Sequence, residues 1–445
     1  MREHPASARH QACRHALQAL ALFLCNLFGC ADDTCHSLRA CDIRATECQE
    51  DVATWVQCVR GGSAPRPKVE RISADEYRER VLALRAMQNS STESAEAWNR
   101  GLARFRLAPE VYDPKQELQD QVDVVGAAYF PESRTVAVID RGQRADDNAA
   151  VALLAHEFVH AAQDAELELR DYQARWGATF DSSLALKGLL EGEAVHYQLL
   201  AQIEQSGRIL PSIDWERTYE RWRTEELRSA DADSAPVSMA RLRFPYAFGG
   251  GYVTQLWLSK GRAGIDERLE HPPETTREIL FGPAPVDTAP VLHELRARGR
   301  PVLGESYEDR GFATLGAWIA RIYAGRVLRD VSSRVWPAKA LAADVFSVQA
   351  DAESGQLLST WQISVLAPNG ARMWPHAEKL QQISHWFPDS RNEVVYVSTT
   401  LGVPPRPELL EWTSVDDAEP QTDGSMDALS SHLACVAHTP EIVFK

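Results

Sequence analysis

No apolar run in the 445-residue chain reaches the ~20 residues that a helix needs to cross a bilayer. The stretch from Ala16 to Phe28 spans only thirteen and is interrupted by Gln18, Cys25 and Asn26. An excess of basic charge is also missing: 47 Lys and Arg face 63 Asp and Glu, for a formal charge of −16. Nucleic-acid binders neutralise phosphates with a basic surface, so the composition speaks against that class and fits a soluble acidic protein. No CxxC pair occurs, which makes a zinc ribbon a poor reading of the cysteines. There is no internal repeat, and no low-complexity segment longer than a linker. Histidine is scarce at 13 residues, so two of them at a meaningful spacing are informative.

The amino-terminal residues include Arg2, Arg9 and Arg14, with Glu3 the lone acid, followed by the short apolar stretch. That order predicts a secretory signal over residues 1–29. Leu27-Phe28-Gly29-Cys30 resembles a lipoprotein signal, in which the cysteine after a small residue becomes a lipidated amino terminus. Lipidation at Cys30 would anchor the chain to a membrane, and Ala31 in the next position points to the outer membrane. The alternative is ordinary signal cleavage nearby, leaving Cys30 as a thiol or disulfide partner. Cys35, Cys41, Cys48 and Cys58 follow, and in an exported chain such a cluster reads as disulfides with three possible pairings. Cys435 is left over, unpaired or tied to the cluster. Gly61-Gly62-Ser63-Ala64-Pro65-Arg66-Pro67 reads as a linker, so residues 30–67 are expected to form a Cys-rich tether.

The informative histidines lie in His156-Glu157-Phe158-Val159-His160. Residues i and i+4 of a helix share a face, so both imidazoles can reach one cation. Glu157 then projects beside that cation, placed to take a proton from water, as in zinc hydrolases. Asp147 and Asn148 offer N-cap side chains, and Ala149 to Ala162 contains good helix formers with no Gly or Pro. Val151, Leu154, Ala155, Phe158, Val159 and Ala162 give a broad apolar stripe, predicting a buried helix. The plain alternative is a core helix whose histidines bond to backbone carbonyls.

Two histidines leave zinc under-coordinated, so a third ligand is needed. Leu189-Leu190-Glu191-Gly192-Glu193-Ala194-Val195-His196-Tyr197 lies in a second apolar helical pattern. Glu191 and Glu193 are two apart and cannot share a face, so only one points at a metal. Glu191 sits inside the apolar run, where an unpaired carboxylate is costly, and is the preferred ligand. Glu193 is the fallback.

HEFVH followed by EGEAVHY resembles the gluzincin metallopeptidases, whose second motif reads Glu-Gly-x-Ala-x-Tyr. The resemblance implies that Glu191 is the third zinc ligand. Thirty residues separate His160 from Glu191, more than in the aminopeptidase-like members, and Trp176-Gly177 lie in the extra length. A wider likeness covers roughly residues 70 to 400. A hairpin of Val124–Phe130 and Thr135–Asp140 precedes HEFVH, and EGEA is followed by Arg243-Phe244-Pro245-Tyr246-Ala247-Phe248-Gly249-Gly250-Gly251-Tyr252-Val253 and by His271-Pro272-Pro273-Glu274-Thr275-Thr276-Arg277-Glu278-Ile279-Leu280. This order is similar to a group of bacterial zincin-like proteins and implies a metallopeptidase core.

The expected fold class is therefore α+β: a mostly helical zincin-like core with a β-hairpin before the HExxH helix, over residues 68–300. A small α/β region over 301–415 and an acidic, loose tail over 416–445 follow. Within these, helices are expected over Ile72–Phe105, with Ser73 and Glu76 as a capping box, and over Asp214–Ser229, Tyr252–Lys260 and Phe312–Leu328. Strands are expected over Asp344–Ala350, Leu357–Leu366 and Glu393–Thr399.

The expected chemistry is one Zn²⁺ ion on His156, His160 and Glu191, with Glu157 as general base and Tyr246 as a donor to the developing oxyanion. His196 and His271 are read as structural or surface residues. The substrate is a peptide or protein, and the absence of a GxMxN-type motif favours an endopeptidase over an aminopeptidase. The competing expectation is an inactive zincin-fold lipoprotein that binds or supports other envelope components.

Overall fold

The computed structural model describes residues 35–283, 307–351, 357–365 and 408–415, except 63–64, 88–91, 141–147, 234, 328–337, 340 and scattered positions between 110 and 124. The signal-like stretch with Cys30, the cap candidate Asp147, the strand expected at Glu393–Thr399, Cys435 and the acidic tail lie outside the described residues. What is described is mostly helical with a few strands, in keeping with an α+β class.

Two long helices form the centre. Helix α4 (Asn148–Leu167) is buried on nearly all sides from Val151 to Gln163, as its apolar periphery requires. Helix α6 (Phe180–Gln205) packs along it. Its start is fixed by a reciprocal cap: Ser182 N donates to Thr179 Oγ1 at 3.1 Å, and Thr179 N donates to Ser182 Oγ at 2.9 Å. The short helix α5 (Leu169–Trp176) joins them.

Ahead of α4, strands β2 (Ala127–Phe130) and β3 (Thr135–Asp140) form the expected antiparallel hairpin. Strand β1 (Lys68–Ser73) completes a three-stranded sheet, lying parallel to β3 in the order β1-β3-β2. The helix expected from Ile72 thus begins later. Ser73 Oγ accepts from Glu76 N at 3.1 Å, which makes Ser73 the cap and leaves the residues before it free to pair as a strand. Helices α2 (Ala74–Met87) and α3 (Thr92–Arg104) follow, on either side of residues 88–91, which lie outside the described residues.

Upstream, helix α1 (Thr46–Arg60) buries Cys48, Val52, Ala53, Trp55 and Val56 in a core shared with Val151, Ala155, Phe158, Leu200 and Ala201. Disulfides Cys35–Cys58 and Cys41–Cys48 staple it, with Cα atoms 5.7 and 5.6 Å apart. Disulfides persist in oxidising compartments and suggest an exported protein. Among the described residues no helix is long and apolar enough to cross a membrane.

After α6 come α7 (Trp215–Ala232), capped by Asp214, and α8 (Pro236–Phe244). A single π-helical turn at Pro245–Gly249 leads into α9 (Gly250–Lys260), α10 (Arg262–Glu270) and α11 (Thr276–Phe281). Strands β4 (Tyr307–Ala313), β5 (Leu341–Asp351), β6 (Leu357–Val365) and β7 (Glu408–Val415) build an antiparallel sheet in sequence order. Helix α12 (Gly316–Val327) starts after the strand that takes up Phe312. Its Trp318, Ile322 and Tyr323 share one core with Phe105, Phe244, Phe248, Phe346 and Trp361.

Candidate metal centre

One turn of α4 separates His156 from His160, and their Nε2 atoms face each other 3.1 Å apart. Glu191, from the middle of α6, places Oε2 at 3.2 Å from the first Nε2 and 3.3 Å from the second. Four ligands at the 2.0–2.1 Å bond lengths of zinc span tetrahedral edges of about 3.3–3.4 Å. The three atoms thus already form one face of such a tetrahedron. Among the described residues, these three side chains are the cluster whose donors converge on a point that could hold a metal ion.

The ring nitrogens away from that point are held by amides. Gln163 Oε1 lies 2.8 Å from His160 Nδ1, and Gln198 Oε1 lies 3.1 Å from His156 Nδ1. For Gln163 the orientation of the amide follows from its surroundings. Its Nε2 donates to Leu190 O and to Glu193 Oε2, both at 2.9 Å, and neither atom can donate in return. The amide oxygen must face His160, so Nδ1 carries the proton and the Nε2 lone pair points at the convergence of ligands. Lone pairs and a carboxylate oxygen meeting at about 3 Å attract positive charge. Burial lowers the pKa of His160, but the charge and hydrogen bond of Glu191, joined by the Glu157 charge and the Gln163 hydrogen bond, together push the imidazole up to about 9. For Glu191, burial works against ionisation, yet the two histidines hold its carboxyl well below the usual range.

Glu157 lies in the same turn of α4 and is 4% exposed. Burial raises its pKa; the imidazoles of His156 and His160 oppose the shift, Glu191 adds to it, and a hydrogen bond from the backbone N–H of Tyr129 in β2 opposes it. The hairpin thereby holds this carboxylate beside the site, while Tyr129 Oη donates to Asp164 Oδ2 at 2.9 Å and fixes strand to helix.

Tyr246 stacks on His156, with ring centroids 6.1 Å apart and planes 14° from parallel. It is 42% exposed, so its ring borders solvent at the mouth of the site. Its hydroxyl pKa is driven well above the ordinary value by the Glu191 carboxylate, then by burial and by Glu157. The hydroxyl therefore stays protonated and able to donate. Tyr246 sits in the π-helical turn, a local widening of the helix often found where a side chain is aimed at a site.

Glu193, the fallback ligand, faces another way. It is fully buried against Arg60, Arg262 and Gln163 and does not join the histidines. His196 is fully buried as well; burial pushes its pKa down to about 3, and Nδ1 pairs with Thr254 Oγ1 at 2.9 Å. His271 is exposed at the end of α10 and takes no part in the cluster. Sequence reasoning missed Gln163, Gln198 and the backbone contact from Tyr129.

Compared with protein-family models, with curated proteins and with solved structures, the chain has no match.

Proposed function

We propose that this chain is a zinc-dependent peptidase with a zincin-like core, similar in its site motifs to the gluzincins. The observation that carries the reading is the triangle of His156 Nε2, His160 Nε2 and Glu191 Oε2, with sides of 3.1 to 3.3 Å. Two imidazoles and one carboxylate form a donor set that suits zinc. A zinc ion held there supplies Lewis acidity that makes water nucleophilic near neutral pH.

The remaining work falls to the side chains. Glu157 accepts a proton from the water as its oxygen adds to the peptide carbonyl carbon. It returns that proton to the nitrogen as the C–N bond breaks, so the amine leaves neutral. Tyr246 Oη donates to the oxygen on which negative charge develops. The buried setting of Glu157, which raises its pKa, favours both acceptance and return of the proton. The intact base and the tyrosine beside the triangle favour an active enzyme over an inactive binding protein. Export with lipidation at Cys30 accompanies this reading, placing the enzyme in the cell envelope.

A digest of a mixed peptide library by the purified full chain tests the proposal. Cleavage within peptides that stops on adding a chelator and returns with zinc is expected. Cleavage indifferent to the chelator, or none from zinc-loaded protein, contradicts it.

A further inference from the structure

Arg60 ends the disulfide-stapled helix α1 and is 1% exposed, although its charge demands partners. It finds them on both central helices. Its Nη1 and Nη2 grip the two oxygens of Glu166 at 2.7 Å each, and its Nε donates to Glu193 Oε1 at 2.9 Å. Arg262 closes the network from α10, donating to the same Glu193 oxygen at 2.9 Å. The other oxygen of Glu193 accepts from Gln163 Nε2, and Gln163 Oε1 faces His160 Nδ1. An unbroken chain of buried polar contacts therefore runs from Arg60 through Glu193 and Gln163 to a residue of the metal triangle.

Each link fixes the next. Arg60 Nε and Arg262 Nη1 both donate to Glu193 Oε1, which turns the other oxygen of that carboxylate towards Gln163. That carboxylate, with Leu190 O, takes both protons of the Gln163 amide and so dictates which atom faces His160. The Cys35–Cys58 disulfide crosslinks α1 two residues before Arg60. Leu38 N and Trp55 Nε1 add hydrogen bonds to Glu204, at 2.9 and 2.6 Å, near the end of α6. The Cys-rich segment is thereby fastened to the helix that carries Glu191.

We propose that Arg60, Glu193 and Gln163 are positioning residues for His160, so that the disulfide-stapled amino-terminal segment is a working part of the metal centre and sets its affinity. The inference rests on the metal reading of the site. It has a practical consequence: a soluble form trimmed after the linker at Pro67 loses Arg60 and binds zinc weakly, whereas one that begins before Cys35 keeps full affinity.

The test is zinc affinity of the full chain by competition with a chromogenic chelator, with melting of the metal-free protein measured in parallel. Gln163→Met keeps the length of the side chain and removes the acceptor for His160. It is expected to weaken zinc roughly 10- to 100-fold, the usual cost of losing a partner to a ligating histidine. Arg60→Lys keeps the charge without the fork, and is expected to weaken zinc roughly tenfold at the low end of the same range. This variant carries the test alone if Gln163→Met does not fold. In the double variant the Arg60→Lys loss should vanish, because its route to His160 is already cut. Parental affinity in both single variants, or losses that multiply in the double variant, overturns the proposal. Lowered metal-free melting with unchanged affinity does so too, since that marks a purely structural role. If the parent itself binds no zinc, the metal reading and this inference fall together; parental binding with unaffected variants removes only the inference.

Discussion

Gly249 and Gly188 meet backbone to backbone: a Cβ on Gly249 would lie 2.1 Å from the carbonyl oxygen of Gly188. The π-helical turn therefore crosses α6 at a distance open only to glycine, one helical turn from Glu191. A Cβ on Gly192 would likewise lie 2.5 Å from the Gly249 carbonyl. The glycine of the Glu-Gly-x-Ala segment thus does not hold metal. It lets the Phe-Pro-Tyr segment approach and brings Tyr246 over His156.

Gly249→Ala is accordingly expected to destabilise the fold by ~1–3 kcal/mol, the range for an overpacked core, and to lower kcat by displacing Tyr246. Gly251→Ala is the contrast. Its added methyl meets the Arg223 guanidinium at 2.1 Å, and the end of a flexible side chain can move aside. Chemical denaturation of the two variants checks this; equal losses would contradict the crossing argument.

Glu157→Gln keeps a hydrogen-bonding side chain of the same size but cannot accept the proton. A fall in kcat of roughly 10²- to 10⁴-fold is expected, with zinc retained. Tyr246→Phe removes one oxyanion donor and is expected to cost roughly 10²- to 10³-fold in kcat, with little change in zinc affinity. Steady-state kinetics on any peptide found in the library digest measures both. Parental kcat in either variant would remove that residue from the mechanism.

Asp181 and Asp344 form a buried carboxylate pair between α6 and the second sheet. Burial, then the Asp344 charge, pushes Asp181 up to about 7, although Thr276 N and Oγ1 donate to it at 3.0 and 2.5 Å. Burial pushes Asp344 up to about 6 against hydrogen bonds from Trp361, Leu315 and Gly316. Both folded values exceed the ordinary 3.8, so between about pH 4 and 7 the folded chain holds more protons than the unfolded one. Stability from this pair is therefore greatest in acid and is lost as pH rises towards 7. In metal-free protein, the stability of Asp181→Asn relative to the parent is expected to climb from pH 5 to 7 and level off above. Urea midpoints across that range measure it, and a difference independent of pH would refute the assignment.

The two central helices were legible because their apolar pattern and lack of interior proline agree, and the hairpin because its alternation is bounded by a turn. His156, His160 and Glu157 could be placed from helical spacing alone. Glu191 could be separated from Glu193 only as a preference, since both lie in one buried helix and the decision is made by Arg60 and Arg262 from remote segments. Gln163 could have been found, being three residues after His160 on the same face of α4. Arg60 carried no such signal: its role depends on a fold-back of 133 positions to Glu193, which local periodicity does not encode. Strand β1 was hidden for a related reason, because its pairing with β3 is parallel and joins segments distant in sequence.

The central claim is that two imidazoles and Glu191 hold one ion, and the most direct measurement is metal content. The full chain and Glu191→Gln, equilibrated with zinc and dialysed, are compared by mass-spectrometric metal analysis. The account predicts close to one zinc per chain in the parent and substantial loss in the variant. No zinc in the parent, or an equal amount in both, would contradict it.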